Sequence, residues 1–333
     1  MSVVVTCFNL GRYLEEAVDS VFAQTLQDFE VIIVDDGSTD PDTRDLLARW
    51  NRPRTEVVAA EHRGLPAARN TGIRRARGDY ICALDADDRL DPSWLERAAE
   101  VLDRDRQITF VSHWFRTFGA EEWEWTPERC DLVALLDRNT VNGAALVRRE
   151  ALLEAGLFDE EMKDGCEDWD LWINLVEHGH RGVIIPRFLF QYRRRSDSMS
   201  WGMPERHLSL FRRLIEKHEA SYRAHLLELF QRRELAICDL RRQMLHLDEE
   251  YHGWFEPELD RRRREVGELR AKLDGGSRTE SQQLRLELER LAHAHQDARN
   301  EVAALHASLS WRVTSPLRWI YGQLLRLTGV GKA

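Results

Sequence analysis

The strongest constraint on this chain is an alternation that runs through its first 200 residues: short apolar runs that end in polar or acidic residues, separated by amphipathic stretches. VVVT (3–6) is an apolar run of strand length. Leu14, Ala17, Val18, Val21 and Phe22 then recur at helical spacing and define one face. EVIIVDD (30–36) is a second strand, residues 41–50 a helix, VVAA (57–60) a third strand and residues 66–77 a further helix. DYICALDADD (79–88) is a fourth strand, and Asp91 before Pro92 is placed to cap the helix after it. Strands alternating with helices of this length predict βαβ units, that is, an α/β fold with a mainly parallel sheet flanked by helices. Ligands of such sheets bind beyond the carboxyl ends of the strands. Thr6 and Asn9, Asp35 and Asp36, and Asp85 and Asp87 all fall at those ends.

The charge is as uneven as the pattern. Of the net −10 carried by 333 residues, the first 200 contribute −13 and the remainder +3. An acidic first part argues against nucleic acid as a partner. Acids gathered where a phosphorylated ligand would bind suggest an intervening metal ion. The five cysteines (Cys7, Cys82, Cys130, Cys166, Cys238) are scattered and form no CxxC pair, which disfavours a disulfide framework and points to a reducing cytosol. No secretory signal and no run of transmembrane length is apparent, so a cytoplasmic location is expected.

After residue 200 strand signals stop, and Leu208, Phe211 and Ile215 keep helical spacing. Breaks fall near Gly253–Pro257 and at GGS (275–277). Leu284, Leu288, Leu291, His295, Ala298, Val302, Leu305 and Leu309 then repeat at 4-3 spacing, a heptad seam that predicts a coiled coil; one long helix folded back on the first domain is the other reading. In the last stretch, 310–333, Ser315 and Pro316 open a helix with Leu317, Ile320, Tyr321 and Leu324 on one face. Its four basic residues are opposed by no acid, so either a membrane interface or a protein surface suits it. The expected organisation is a domain over 1–200, a helical extension over 201–255, a helical or coiled-coil region over 256–309 and a basic amphipathic tail over 310–333.

Three acidic clusters carry candidate chemistry. In DADD (85–88) two carboxylates spaced i, i+2 at a strand end can turn toward one point, and their hard oxygens suit Mg²⁺ or Mn²⁺. An acid-rich turn without a ligand has the same sequence. In DDGSTD (35–40) Asp40 reads as a helix N-cap, while Asp35 and Asp36 sit at the strand end. In CEDWDLW (166–172) Trp169 and Trp172 read as core and Asp170 as a first-turn acid, which leaves Glu167 and Asp168 as functional candidates. The chain contains no GxGxxG and no GxxxxGK[ST], so neither a dinucleotide fold nor a P-loop is supported.

Seven blocks in order resemble the family 2 glycosyltransferases, inverting enzymes of the GT-A fold. They are VVVTCFN with LEEAVDSVFAQT (14–25), FEVIIVDDGSTD (29–40), GLPAARNTGI (64–73), GDYICALDADD (78–88), GLFDEEM (156–162), EDWDLW (167–172) and YRRRSDSMS (192–200). The resemblance implies transfer of a sugar from a nucleotide-sugar donor to a saccharide or lipid-linked acceptor, in bacterial surface-polysaccharide synthesis. It implies that Thr6, Phe8, Asn9, Asp36, Arg69 and Asp85 bind the donor, that Asp87 and Asp85 hold the metal, and that Asp168 with Glu167 supplies the general base. The QxxRW signature and membrane spans of the processive members are missing, which disfavours a homopolymer synthase.

Other readings stay open beside this one. Arg193, Arg194 and Arg195 fit either a diphosphate or an exposed strand edge. Trp114, Phe115, Phe118, Trp123 and Trp125 read as core or as a sugar-stacking platform. The SWRVTSPLR string resembles a tail found after coiled coils in surface-polysaccharide transferases and would place the chain on the inner face of the cytoplasmic membrane. The heptads would serve a homo-oligomer or a partner through 284–309, which also suits a catalytically silent scaffold. A nucleotidyltransferase would need a glycine-rich loop after Val5, and none follows.

Overall fold

A computed structural model describes residues 1–195 and 203–250, with isolated positions between 253 and 293. Two compact units divide it, Met1–Arg232 and Arg233–Ala333.

The first unit is built on β1 (Ser2–Cys7), β2 (Glu30–Asp35), β3 (Thr55–Ala59) and β4 (Tyr80–Asp85), which pair in parallel in the order β3-β2-β1-β4. All six residues of β1 are buried, because the strand has neighbours on both edges and helices on both faces. Strand side chains alternate. Val3 and Val5 therefore join Leu14, Val18 and Val21 of α1 (Gly11–Phe22), and Val4 joins Ala68 and Ile73 of α3 (Leu65–Arg75). Burying each valine contributes about 1.5–3 kcal/mol, so a charge at Val4 would unseat α3. Gly72 lets α3 approach this closely: a Cβ there would lie 2.2 Å from Val4 Cγ1. α2 (Pro41–Ala48) begins as the sequence predicts, with Asp40 accepting a hydrogen bond from the Thr43 N–H.

The sheet continues through β8 (Leu146–Arg148), β6 (Ile108–Gly119), β9 (Arg181–Arg194) and β5 (Arg89–Leu90), with β7 (Glu124–Trp125) paired to β6. β6 and β9 are parallel, and the antiparallel ladders are short, so the sheet is mainly parallel, as the pattern predicts. One helix start differs from expectation. α4 (Trp94–Arg104) opens after Ser93, because the Asp91 carboxylate accepts from Ser93 N–H and Oγ in a turn that precedes the helix.

α5 (Leu132–Asp137), α6 (Arg149–Glu154) and α7 (Glu167–Glu177) cover the second half of the sheet. α8 (Met203–Lys217), α9 (Glu219–Ala224) and the start of α10 (Leu226–Glu250) add Leu210, Leu214, Tyr222 and Leu229 to its buried apolar residues. In the second unit the described structure is the rest of α10 and isolated positions beyond it. The tail 310–333 and, apart from Arg290 and His293, the seam 284–309 lie outside the described residues. Among the described residues no helix is long and apolar enough to cross a membrane.

Candidate active site

The carboxyl ends of β1, β2 and β4 open into a cleft of about 910 Å³. Thr6, Phe8, Asn9, Asp36, Arg69, Asp85, Asp87, Glu167 and Asp168 all line it. Parallel pairing brings three strand ends to one edge, and the start of α7 closes the opposite wall.

On the β2 side Asp36 is buried and held mainly by backbone. Its Oδ1 accepts from the Arg63 N–H (3.0 Å) and its Oδ2 from the Gly64 N–H (3.1 Å), while His62 Nδ1 lies 2.8 Å from Oδ2. The His62 ring stacks on Phe8 at 4.0 Å and 13° between planes, and Phe8 remains 38% exposed. Stacked planar rings beside a fixed carboxylate suit an aromatic heterocycle with an N–H to donate. Asn9 takes positive φ (+56°), and its Oδ1 accepts from the backbone N–H groups of Thr39 and Asp40, both at 2.8 Å. It clips the loop after β1 to the loop after β2.

On the β4 side Asp85 accepts from Thr6 Oγ (3.0 Å) and pairs with Arg69 Nη2 (3.0 Å). Arg69 is only 4% exposed, and its Nη1 reaches Glu167 Oε1 at 2.7 Å. One guanidinium therefore joins the end of β4 to the start of α7. Burial disfavours its charge, but Asp85, Glu167 and Asp168 raise its pKa above the ordinary value, so it stays protonated. Asp87 pairs with Arg195 Nε at 2.9 Å, and buried Asp88 accepts from the Arg193 N–H at 2.7 Å. Burial pushes the Asp87 carboxyl up, Asp85 adds to the rise, and Arg195 opposes it. Asp88 is pushed well up by burial and by its two acidic neighbours.

On the far wall Asp168 is half-buried and accepts from Asn139 Nδ2 at 3.2 Å. Burial raises its pKa, and Arg69 works against the rise. Burial pushes Glu167 to about 7, again opposed by Arg69. Cys166 also lines the cleft, but burial pushes its thiol up to about 12, so it holds its proton and is a poor nucleophile.

The donor set fits a divalent ion of the Mg²⁺ or Mn²⁺ kind. Asp85 and Asp87 present hard oxygens, and burial, with the neighbouring acids adding to it, raises Asp87 and Asp88, a rise that a cation would offset. Among the described residues no three His, Cys, Asp or Glu side chains form a complete metal cage, so such an ion would draw further oxygens from its ligand or from water.

Three features of the cleft escape sequence reading. His62 stands outside the motif blocks. Asn139 lies 29 positions from its partner Asp168. Arg195 is singled out among three arginines only by the fold: Arg193 pairs with Glu16, Arg194 with Glu121, and Arg195 faces the cleft. Conversely, Trp114, Phe115, Phe118, Trp123 and Trp125 do not line the cleft. Phe115 is buried against Trp125 (4.7 Å between rings), and Phe118 lies under Arg89 and Arg193.

The mixed sheet, with acids at the carboxyl edge of its parallel strands, is of GT-A type. Residues 2–156 match the profile of Glycosyl transferase family 2, so that part of the chain is similar to this family. It is similar to a glycosyltransferase of Methanocaldococcus jannaschii, with 27% identity over 58% of this chain and 70% of the relative. It is also similar to TuaG of Bacillus subtilis, a glycosyltransferase named for teichuronic acid biosynthesis, with 28% identity over 66% of this chain and 89% of the relative. In fold it resembles TarS 1–349 of S. aureus, with a TM-score of 0.52 and 21% identity over 64% of this chain and 63% of that one. The same TarS fragment in complex with UDP-GlcNAc matches with a TM-score of 0.52 over 60% of each chain.

Proposed function

We propose that the chain is an inverting glycosyltransferase that moves a sugar from a nucleotide-diphosphate donor to a hydroxyl of a saccharide or lipid-linked acceptor, in surface-polysaccharide assembly. The observation that carries this reading is the opposition of two sets of acids across one cleft: Asp36, Asp85 and Asp87 at the strand ends, Glu167 and Asp168 at the start of α7. The UDP-GlcNAc complex of TarS and the name of TuaG support it.

In this reading Phe8 and His62 hold the base, and Asp36 accepts its N–H. Asp87, with Asp85, would hold Mg²⁺ or Mn²⁺. Such an ion would supply charge stabilisation for the diphosphate leaving group. Arg195 lies beside Asp87, within reach of the same phosphates. The acceptor hydroxyl attacks from the α7 side and Asp168 takes its proton, so the departing diphosphate and the incoming oxygen lie on opposite faces of the sugar. Asn139 fixes the carboxylate that must be ionised, and Arg69 keeps its pKa from rising further. Arg69 is thus assigned to aligning the acids. The basic tail 310–333 would rest on the inner face of the cytoplasmic membrane, and the seam 284–309 would assemble copies or a partner.

The test is product analysis by NMR with a panel of sugar nucleotides. Inversion at the anomeric carbon is expected, with loss of transfer in Asp168→Asn. Retention of configuration, or normal transfer by that variant, would overturn the base assignment. Deleting 310–333 is expected to release the protein from membranes; unchanged sedimentation with membranes would reject the attachment.

A further inference from the structure

The start of α7 follows Gly165 (φ +127°) and Cys166 (φ +62°), and its N-cap residue makes no side-chain hydrogen bond. Its cleft side is held by Arg69 on Glu167 and by Asn139 on Asp168. A second set of contacts holds the face turned away from the cleft. At 3.6 residues per turn, Asp168 and Asp170 point roughly 200° apart. While Asp168 lines the cleft, Asp170 is turned away from it, buried and 3% exposed.

Both oxygens of Asp170 are held by the junction of α8 and α9. Lys217 Nζ lies 2.7 Å from Oδ2, and His218 Nε2 lies 3.1 Å from Oδ1. Each holder has a second anchor. Lys217 also reaches Asp159 in the loop before α7 (2.7 Å), and His218 Nδ1 reaches Glu177 in the last turn of α7 (2.7 Å). The junction therefore grips α7 at both ends. Apolar contact reinforces the grip, since Phe211 of α8 stacks on Trp169 at 5.7 Å and Leu214 is fully buried in the same cluster. Charge-assisted bonds at a buried carboxylate fix geometry more firmly than exposed pairs do.

We propose that Lys217 and His218 are positioning residues for the carboxylates of α7: by holding Asp170 on the far side of the helix they set the roll that aims Glu167 and Asp168 into the cleft. The inference rests on the reading of Asp168 as general base. It makes the helices after residue 203 part of the transferase, although the family profile ends at residue 156. The carboxylates assigned to the donor sit on β2 and β4, or just beyond them, so donor affinity and turnover should respond separately.

The experiment uses the full chain with Mn²⁺ and the sugar nucleotide that the product assay identifies. Steady-state kinetics and nucleotide titration are compared for Lys217→Met, His218→Ala, Lys217→Arg and His218→Gln. Misaimed reacting groups cost up to about 100-fold, so Lys217→Met and His218→Ala are expected to lower kcat by about 10- to 100-fold. Donor KM and nucleotide affinity should stay within about twofold, a change worth only ~0.4 kcal/mol. Lys217→Arg and His218→Gln, which keep a donor toward Asp170, should recover most of the turnover. Unchanged kcat in folded variants, or kcat and nucleotide affinity falling together, would overturn the inference. A wild-type chain that turns over no donor would instead overturn the functional reading, and this inference with it.

Discussion

The two walls of the cleft are built by different means. On the strand side, Asp36 is fixed by backbone N–H groups of Arg63 and Gly64. On the α7 side the long-range restraints run through side chains: Glu167 to Arg69 across 98 positions, Asp168 to Asn139 across 29, and Asp170 to Lys217 and His218 across 47 and 48. Backbone donors survive most substitutions, whereas a side-chain donor is lost with one. Asp36 should therefore tolerate change around it, whereas Asp85 and Asp87, held by the side chains of Thr6, Arg69 and Arg195, and the acids of α7 should fail at single positions.

The largest expected effect is at Asp168. Removing a general base costs about 10²–10⁴ in rate, so Asp168→Asn should lose transfer on that scale while nucleotide affinity, measured by calorimetry, stays at the wild-type value. Because burial raises the Asp168 pKa, the acid limb of the pH–rate profile is expected above the ordinary carboxylate range. Turnover rises with pH as the base ionises, and a limb at the ordinary carboxylate value would count against Asp168. Next comes Arg69, the one described link between the walls through Asp85 and Glu167. Breaking a buried ion pair from one side costs about 3–5 kcal/mol. Arg69→Met is expected to lose that much in urea unfolding, and a loss under ~1 kcal/mol would show that the bridge is not formed.

Asp87→Ala tests the strand wall. Metal-dependent nucleotide binding should weaken by at least about tenfold, or ~1.4 kcal/mol, with binding in EDTA unchanged; equal titrations with and without Mn²⁺ in the wild type would remove the metal from the account. The last effect, on stability and not on turnover, concerns His218. Asp170 and Glu177 raise its pKa against the opposing pull of burial. A raised folded pKa means that the stabilisation is complete below the unfolded value of about 6.5 and is lost as pH rises through the folded pKa. The wild type should lose stability across that window relative to His218→Ala, by about 1.5–3 kcal/mol for a charged hydrogen bond. Parallel stability curves would exclude the pairing.

Sequence legibility follows the same division. β1, β2 and β4 were legible because buried parallel strands read as apolar runs, and their acids fall where each run stops. The α7 acids were legible from EDWDLW, since Trp169 and Trp172 mark the core face and leave Glu167 and Asp168 on the other side. The partners were not. Nothing local in Asn139, Lys217 or His218 distinguishes them from other polar residues, and their roles arise only when β6, β9 and α8 bring distant segments together. Arg69 was named through the family resemblance and lines the cleft, but its place between two acids was not legible, because a guanidinium two carboxylates share has no spacing signature. The aromatics of β6 and β7 show the converse: their composition left core and platform both open, and register packs Phe115 against Trp125 and Phe190.

The most direct test of the two-walled cleft is calorimetric titration of UDP, dTDP, GDP and CMP, with Mn²⁺, into the wild type, Asp87→Ala and Asp168→Asn. The account expects one of these nucleotides to bind the wild type and Asp168→Asn with equal affinity and to bind Asp87→Ala far more weakly. Binding of none of them to folded wild-type protein, or the same loss in both variants, would contradict it.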